Sequence, residues 1–532
     1  MDRLTLASML RTNVARFGER TQFRCGGRSV TWTEHYRRAC TVAQALVAEG
    51  LGVGDRVAFL DRNGLEFFEV LFGGALLGAA SVAVNWRLSA REMAAVIDDA
   101  GAQVLVTHSD YLGHLASMGS PLSSVRRIVV IDGSAPAPRA DTTTDEARRV
   151  GYEDWLAGHP AVDPGYVGEP DDVALQLYTS GTTGLPKGVM LANRNIDTAF
   201  ADSAATFGID DHTVSLVAMP LFHIGGSGWA VAGMSLGGTS VIMRDLDPVE
   251  LLRVVESERI THAFVVPAVL KLALLAPTIA ATDLSSLDTI FYGASPITED
   301  DLTRCLEVFG CRFAQVYGMT ETTGAITRLD PEDHDPRGTR RHLLRSAGKP
   351  LRGVEVRIVD PDTGDVVPVG SVGELWTRSG YNMLGYWNKA AETRAVLDAD
   401  GWLRTGDAGY MDNEGYIYLH DRIKDMVVSG GENVYPAEVE NALGAHPGVA
   451  DAAVIGVPDE RWGETVKAVV VRVPRDETSP EEIIAFCRQR LAHYKCPTSI
   501  DFVDLLPRNP SGKILKRELR APYWRGRERN IQ

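Results

Sequence analysis

Two periodicities take turns along the first three hundred residues, and that alternation restricts the fold more than any single motif. Residues 33–49 repeat apolar side chains at helical spacing, 56–60 form a short apolar run, and 65–77 return to helical spacing. Residues 81–84 then read as a strand. Ser89 opens the next helix as its N-cap, with Arg91 and Glu92 in the first turn, and Gly101 ends it. Residues 103–106 form the following strand, and a second alternating block runs from 214 to about 311. Strands separated by helices of this length join as βαβ units, which makes the sheets largely parallel and puts ligands at the carboxyl ends of strands. A chain of 532 residues exceeds one core and divides into domains.

The most informative local stretch is Tyr178-Thr-Ser-Gly-Thr-Thr-Gly-Leu-Pro-Lys-Gly188. The apolar run 173–178 predicts a strand that empties into hydroxyls and glycines. Glycines let a backbone approach an anion closely and take positive φ. Ser180, Thr182, Thr183 and the intervening N–H groups can donate to phosphate oxygens, and Lys187 adds a mobile cation. No Gly-Lys-Ser/Thr follows at Walker spacing. The net charge of -16 argues against nucleic acid, whose backbone needs a basic face. Six cysteines are scattered without a Cys-x-x-Cys pair, which suits reduced thiols, and the N-terminal residues show no signal-peptide core, so a cytoplasmic protein is expected.

Two uncharged runs, 70–86 and 214–243, are interrupted by glycines and, in the second, by Pro220 and His223. They read as a buried helix followed by a strand and as alternating core elements, not as membrane spans. Peripheral membrane contact stays open. Residues 134–170 read as an exposed connection and 192–207 as a helix. Arg337, Arg340, Arg341 and Arg345 read as a solvated loop.

Later strings bring further chemistry. Leu221-Phe-His-Ile-Gly-Gly226 sets a histidine beside glycines just after Met219-Pro220. Tyr292-Gly-Ala-Ser-Pro-Ile297 is a strand end that turns into a helix capped at Thr298, and its small residues leave room for a flat ring. Gln315-Val-Tyr-Gly-Met-Thr-Glu321 ends an apolar strand in an aromatic, a glycine, a hydroxyl and a carboxylate. That set offers a ring to stack on a base, backbone space at Gly318, a phosphate donor and a metal ligand of the kind Mg²⁺ takes. In Trp402-Leu-Arg-Thr-Gly-Asp407 the carboxylate can accept from two adjacent ribose hydroxyls. Short alternating strands over 353–418, with turns at Asp362-Thr-Gly-Asp365 and Asn413-Glu-Gly415, predict a small antiparallel barrel or sheet. The last hundred residues form a separate unit. It has a helix starting at Pro436, strands over 449–457 and 465–473, and a helix capped by Ser479.

In this order, the strings resemble the adenylate-forming, AMP-binding superfamily of acyl-CoA synthetases, peptide-synthetase adenylation domains and beetle luciferases. The pattern looks most like bacterial medium- or long-chain fatty acyl-CoA ligases, and the resemblance spans essentially the whole chain. It implies an α/β fold: a large N-terminal AMP-binding domain of stacked βαβ sheets plus a small antiparallel barrel over 1–421, a hinge at 422–425 and a small mobile α+β lid over 426–532. By resemblance Thr179, Ser180, Gly181, Thr182, Thr183, Gly184 and Lys187 hold phosphates. Gly293, Ala294, Gln315, Tyr317 and Gly318 surround adenine, and Asp407 and Arg422 hold the rest of the nucleotide. Thr320 touches the α-phosphate, and Glu321 with Thr182 holds Mg²⁺. Lys513, in Pro507-Arg-Asn-Pro-Ser-Gly-Lys-Ile514, is the expected catalytic lysine. Lys424 is the hinge, and Ser429, Gly430 and Gly431 line a channel for the CoA thiol. His223, Trp229 and Phe264 are expected to shape an apolar acyl pocket. Leu221, Ile224 and Gly225 bring no carboxylate to pair with an amino group, which argues against an amino-acid substrate. The expected partners are a carboxylic acid, ATP and CoA. An aryl, terpenoid or steroid side-chain acid, a carrier protein as acceptor, and a homodimer all stay open.

Overall fold

The computed structural model describes residues 4–116, 122–133, 148–179, 186–201, 203–295, 297–422, 425–429, 432–459, 461–508 and 514–525. Within them the strands assemble into four sheets. The first runs in the order Gly385–Tyr386, Lys187–Ala192, Val173–Thr179, Ala80–Ala83, Arg56–Leu60, Val104–Thr107, Arg127–Val130, Arg149–Gly151. From Val173–Thr179 onward its neighbours are parallel, and both pairings of Lys187–Ala192 are antiparallel. The second sheet has six mutually parallel central strands: Arg312–Met319, Thr289–Gly293, His262–Val265, Val214–Val217, Thr239–Ile242 and Thr21–Cys25.

The predicted alternation explains this parallel pairing, because helices such as Leu65–Leu77 and Glu299–Phe309 carry the crossovers between parallel strands. Thr31, Ser89 and Ser479 each close a capping box with Glu34, Glu92 and Glu482, which fixes where the chain leaves the extended state. The helix Leu65–Leu77 is buried all round except at Glu66. It lies against the Arg56–Leu60, Ala80–Ala83 and Val173–Thr179 strands of the first sheet, while Phe68 packs on Phe23 of the second. Gly73 has no room for a side chain: a Cβ there would lie 2.6 Å from Val42 Cγ1. The apolar run is therefore an inter-sheet layer, and no described helix is long and apolar enough to cross a membrane.

Strand order reverses once in each large sheet. Arg56–Leu60 lies between its two successors Ala80–Ala83 and Val104–Thr107, and Val214–Val217 lies between Thr239–Ile242 and His262–Val265. Crevices beyond such reversals are where open α/β sheets take ligands. Asn63 joins the two crevices, beside the Asp61–Arg244 ion pair. Buried Asn63 donates from Nδ2 to the Met219 and Met243 carbonyls, both at 3.1 Å, and its Oδ1 accepts from Leu221 N at 3.1 Å.

The structure departs from the sequence reading in three places. The connection 134–170 is not all exposed loop, since Arg149–Gly151 adds a strand and Tyr152–Leu156 a helix with Tyr152 and Trp155 buried. The segment after the phosphate loop is a strand, Lys187–Ala192, and the helix expected over 192–207 is two pieces, Asn193–Phe200 and Ser203–Phe207. The small antiparallel sheet, Glu355–Val359, Gly373–Arg378, Trp402–Met411 and Ile417–Arg422, is interrupted where Gly385–Tyr386 returns to pair with Lys187–Ala192. The added strand Arg149–Gly151 and the return of Gly385–Tyr386 depend on strands outside their own segments, which local periodicity does not register.

The C-terminal sheet pairs Val427–Ser429 with Glu432–Val434 and Gly463–Arg472, and sets Val449–Asp459 and Ser499–Phe502 beside the last. The helices Pro436–Gly444 and Pro480–Arg488 cover it. Val439, Leu443, Ile483 and Cys487 close a core distinct from that of the large sheets.

Candidate active site

The hairpin of Val173–Thr179 and Lys187–Ala192 is paired from Val173↔Ala192 to Thr179↔Lys187. It therefore presents the two ends of the predicted phosphate loop side by side. Ser180, Gly181, Thr182, Thr183 and Gly184 lie outside the described residues. Beneath the hairpin, Tyr178 Oη donates to Asp99 Oδ2 at 2.7 Å and accepts from Gln176 Nε2 at 3.1 Å. Burial and the Asp99 carboxylate push the Tyr178 phenol up, so it stays protonated. Trp387 ties the hairpin to the same residue: its N donates to Gly188 O at 2.7 Å and its Nε1 to Asp99 O at 2.9 Å, with the Arg56 guanidinium stacked on its ring.

Glu321 sits across from this hairpin. The Arg312–Met319 strand passes into the turn Thr320–Thr322, where Thr322 Oγ1 accepts from Met319 N at 3.0 Å. Thr323 has φ +53, and the Glu321 carbonyl accepts from Met383 N at 2.8 Å. The carboxylate is held by the Tyr386 hydroxyl, 2.9 Å from Oε1, with Thr179 Oγ1 at 3.5 Å from the same oxygen. Lys187 Nζ stands 5.0 Å from the centre of the Tyr386 ring. Glu321 is only 6% exposed, and among the described residues no lysine or arginine forms an ion pair with it. A buried carboxylate without a counter-cation is costly. Among the described residues its hydrogen-bond partners are hydroxyl oxygens, and that fits a hard cation such as Mg²⁺, which needs one or two carboxylates and takes its other ligands from phosphate and water.

Beside Glu321 the ends of two adjacent strands make a narrow shelf. Gly293 pairs with Val316, and a Cβ on Gly293 would fall 2.1 Å from Val316 O. A Cβ on Gly318 would fall 1.8 Å from Gly324 O. Both glycines are demanded by backbone packing between strands, whatever binds above them. Ala294 follows with φ +65, a strained conformation for a residue with a side chain. Tyr317 Oη donates to Asp407 Oδ2 at 2.6 Å and so joins the shelf to the small sheet. Asp407 is set by its neighbours: Gly406 N donates to Glu374 Oε1 at 3.0 Å, and Asp407 N to Thr405 Oγ1 at 3.1 Å. Arg422 pairs with Asp407 in the register of the sheet.

His223 is the N-cap of the helix Ile224–Met234, and its ring lies 4.4 Å from that of Phe222. Gly226 permits the turn, because a Cβ there would meet Pro220 O at 2.2 Å. Trp229 and Phe264 belong to an aromatic cluster with buried Phe291 and half-buried Phe207, and Trp229 Nε1 donates to Leu216 O at 3.0 Å.

Two family models match the chain: AMP-binding enzyme over residues 10–387 and AMP-binding enzyme C-terminal domain over 438–513. The chain belongs to the AMP-binding enzyme family. It is 41% identical to a fatty acid–[acyl-carrier-protein] ligase, ScoC, of Streptomyces coeruleorubidus, covering 95% of this chain and 94% of that one. It is 38% identical to a feruloyl-CoA synthase of an Amycolatopsis species, over 94% and 96% of the two chains. Among solved structures it resembles the anthranilate CoA ligase AuaEII in complex with anthranoyl-AMP, with a TM-score of 0.88 and 27% identity over 98% and 97% of the chains. This AMP-binding enzyme is an adenylate-forming ligase.

Residues that its sequence did not point to shape the candidate site of this AMP-binding enzyme. Tyr386 orients Glu321 from 65 positions away, Asn63 ties the loop before His223 to the opposite sheet, and Glu374 fixes the turn before Asp407. Only the pairing of Gly385–Tyr386 with Lys187–Ala192 brings Tyr386 into place, and nothing local announces it. The four clustered arginines are neutralised by acids: Arg337 by Glu307, Arg340 by Asp333 and Glu414, and Arg341 and Arg345 by Glu299. Ser429 ends a strand beside Gly463, whereas Lys424, Gly430, Gly431 and Lys513 lie outside the described residues. On either side of residues 509–513 the chain is drawn together, since Arg508 bridges to Ile514 and Leu515 N donates to Pro507 O at 2.8 Å.

Proposed function

We propose that this enzyme activates an apolar carboxylic acid, a medium- or long-chain fatty acid by preference, as acyl-AMP and passes the acyl group to the thiol of CoA. The observation that carries the reading is the meeting of Thr179, Lys187 and Tyr386 around the buried carboxylate of Glu321, which has no ion-pair partner among the described residues, one strand-end away from the Tyr317–Asp407 pair. Such a place suits a nucleotide: ribose hydroxyls on Asp407, the base against Tyr317 between Gln315 and Ala294, phosphates toward Thr179, Thr320 and Lys187. Mg²⁺ bound at Glu321, with Thr182, would neutralise phosphate oxygens.

In the first half-reaction a carboxylate oxygen of the acid attacks the α-phosphorus, and the bond to pyrophosphate breaks. Lys187 and Lys513 stabilise the charge that collects on the phosphoryl oxygens, an effect worth roughly 3 kcal/mol for each preorganised donor. In the second, the thiol sulfur attacks the acyl carbon, AMP leaves with the bonding pair, and the thiol proton passes to solvent. The division into 1–421, a hinge at 422–425 and 426–532 supports a swing between the two, with Lys424 as pivot and Ser429, Gly430 and Gly431 facing the thiol. The apolar side chains of Trp229 and Phe264, on and beside the helix that His223 caps, support an apolar acid, alkyl or aryl.

Pyrophosphate release over a panel of fatty, aryl and terpenoid acids, with CoA or with a phosphopantetheinyl carrier protein, tests the reading. Release with an apolar acid and thioester formation on CoA are expected. Thioester formed only on the carrier protein replaces the acceptor, and ADP in place of AMP overturns the chemistry. Lys513→Ala should abolish acyl-AMP formation yet leave thioester formation from supplied acyl-AMP intact, and equal loss of both removes Lys513 from its role.

A further inference from the structure

A line of hydrogen bonds behind the nucleotide shelf has a fixed direction. Nδ1 of His334 lies 2.8 Å from the Asp330 carbonyl oxygen. A carbonyl can only accept, so Nδ1 carries a proton. His334 is 8% exposed, and burial pushes its pKa down to about 4, so at neutral pH the ring is neutral and Nε2 is a bare acceptor. Nε2 is 3.0 Å from the hydroxyl of Tyr292, a fully buried side chain whose phenol burial keeps protonated. The single hydroxyl proton therefore goes to His334. As placed, Oε1 of Gln315 lies 3.4 Å from the same hydroxyl oxygen, an acceptor facing a hydroxyl whose one proton is already taken, and a half-turn of the amide relieves the clash. With that proton committed, the group Gln315 turns toward Tyr292 is its NH₂, and Oε1 faces the other way. Gln315 and Tyr317 are two apart on one strand and share a face.

We propose that Tyr292 and His334 are positioning residues that lock the Gln315 amide with Oε1 toward the base, so that the site selects adenine over 6-oxopurines. This rests on the reading that Gln315 meets the base. An adenine 6-amino group donates to Oε1, whereas a 6-oxo group sets two acceptors against each other. Once the amide is free to rotate, its NH₂ serves the 6-oxo group equally well.

Calorimetric dissociation constants of the full-length enzyme for MgATP and MgITP test this without knowledge of the acid. The wild-type enzyme is expected to prefer ATP. Tyr292→Phe and His334→Leu should each shrink the ITP-to-ATP ratio of dissociation constants about tenfold, the worth of one net hydrogen bond. A lesion in packing alone would weaken both nucleotides together and leave the ratio unchanged, so an unchanged ratio in either folded variant overturns the proposal. Gln315→Ala separates the two levels. If it collapses the ratio while the other two variants do not, the lock is wrong and the base contact stands. If it leaves the ratio intact, the base contact itself is wrong.

Discussion

Glu321 shows how much one side chain owes to another that is far away in sequence. Its chemistry is legible in Tyr317-Gly-Met-Thr-Glu321, but its orientation is not, because the hydroxyl that holds Oε1 belongs to Tyr386. A hydrogen bond to a charged acceptor contributes about 1.5–3 kcal/mol. Tyr386→Phe keeps the ring beneath Lys187 and removes the hydroxyl that holds Oε1. Pyrophosphate release should fall roughly ten- to a hundredfold, with the Mg²⁺ requirement raised and the thermal midpoint little changed. Assays across a Mg²⁺ series would show this, and a rate within twofold of wild type would mean that the carboxylate needs no such support. Gly293 and Gly318 carry a different lesson. Sequence reasoning gives them to a ligand, whereas the carbonyls of Val316 and Gly324 already forbid a side chain at either position.

At the scale of elements, helices with caps were readable because Ser89, Thr298 and Ser479 act on their own next turn. Strands that depend on distant partners were not. The strand Lys187–Ala192 carries no local signal of its own, since it pairs across a glycine-rich loop with Val173–Thr179 and with Gly385–Tyr386 almost two hundred residues on. The Arg312–Met319 and Gly324–Leu329 hairpin is the element most exposed to mutation, since its register shifts at Tyr317/Gly318 where the two backbones nearly touch. Gly318→Ala should cost about 2–4 kcal/mol and abolish adenylation, the range expected of overpacking that forces a backbone shift. Gly52→Ala, with open space around it and an ordinary φ, should lie within about 0.5 kcal/mol of wild type. Urea denaturation of the two variants makes the comparison, and equal midpoints would show that the hairpin yields more easily than its contacts imply.

Over the whole molecule, acid should be the weak side of stability. His35 and His334 are both buried, and burial pushes each pKa down to about 4 from an ordinary 6.5. Between those values the unfolded chain binds protons that the folded chain refuses, so stability is complete above about 6.5 and falls as the pH drops toward 4. Asp163, beside Arg11 and Tyr36 and held down to about 2, adds a further loss below its ordinary 3.8. Thermal midpoints from pH 7.5 to 4 should decline through this window, and His334→Leu should flatten the decline. A flat profile in the wild-type protein would mean that neither ring resists protonation. Such burial belongs to the assembled cores, and it marks the boundary between the two sources of information. Periodicity, caps and short chemical strings act within a few residues, so the sequence by itself determined the parallel α/β plan, the separate C-terminal unit and the residue types offered to a nucleotide. Only the tertiary structure decided which of them meet: Tyr386 with Glu321, Tyr317 with Asp407, Asn63 with the loop before His223. Those contacts close across sheets between residues tens to more than a hundred positions apart, and no local pattern encodes such a distance.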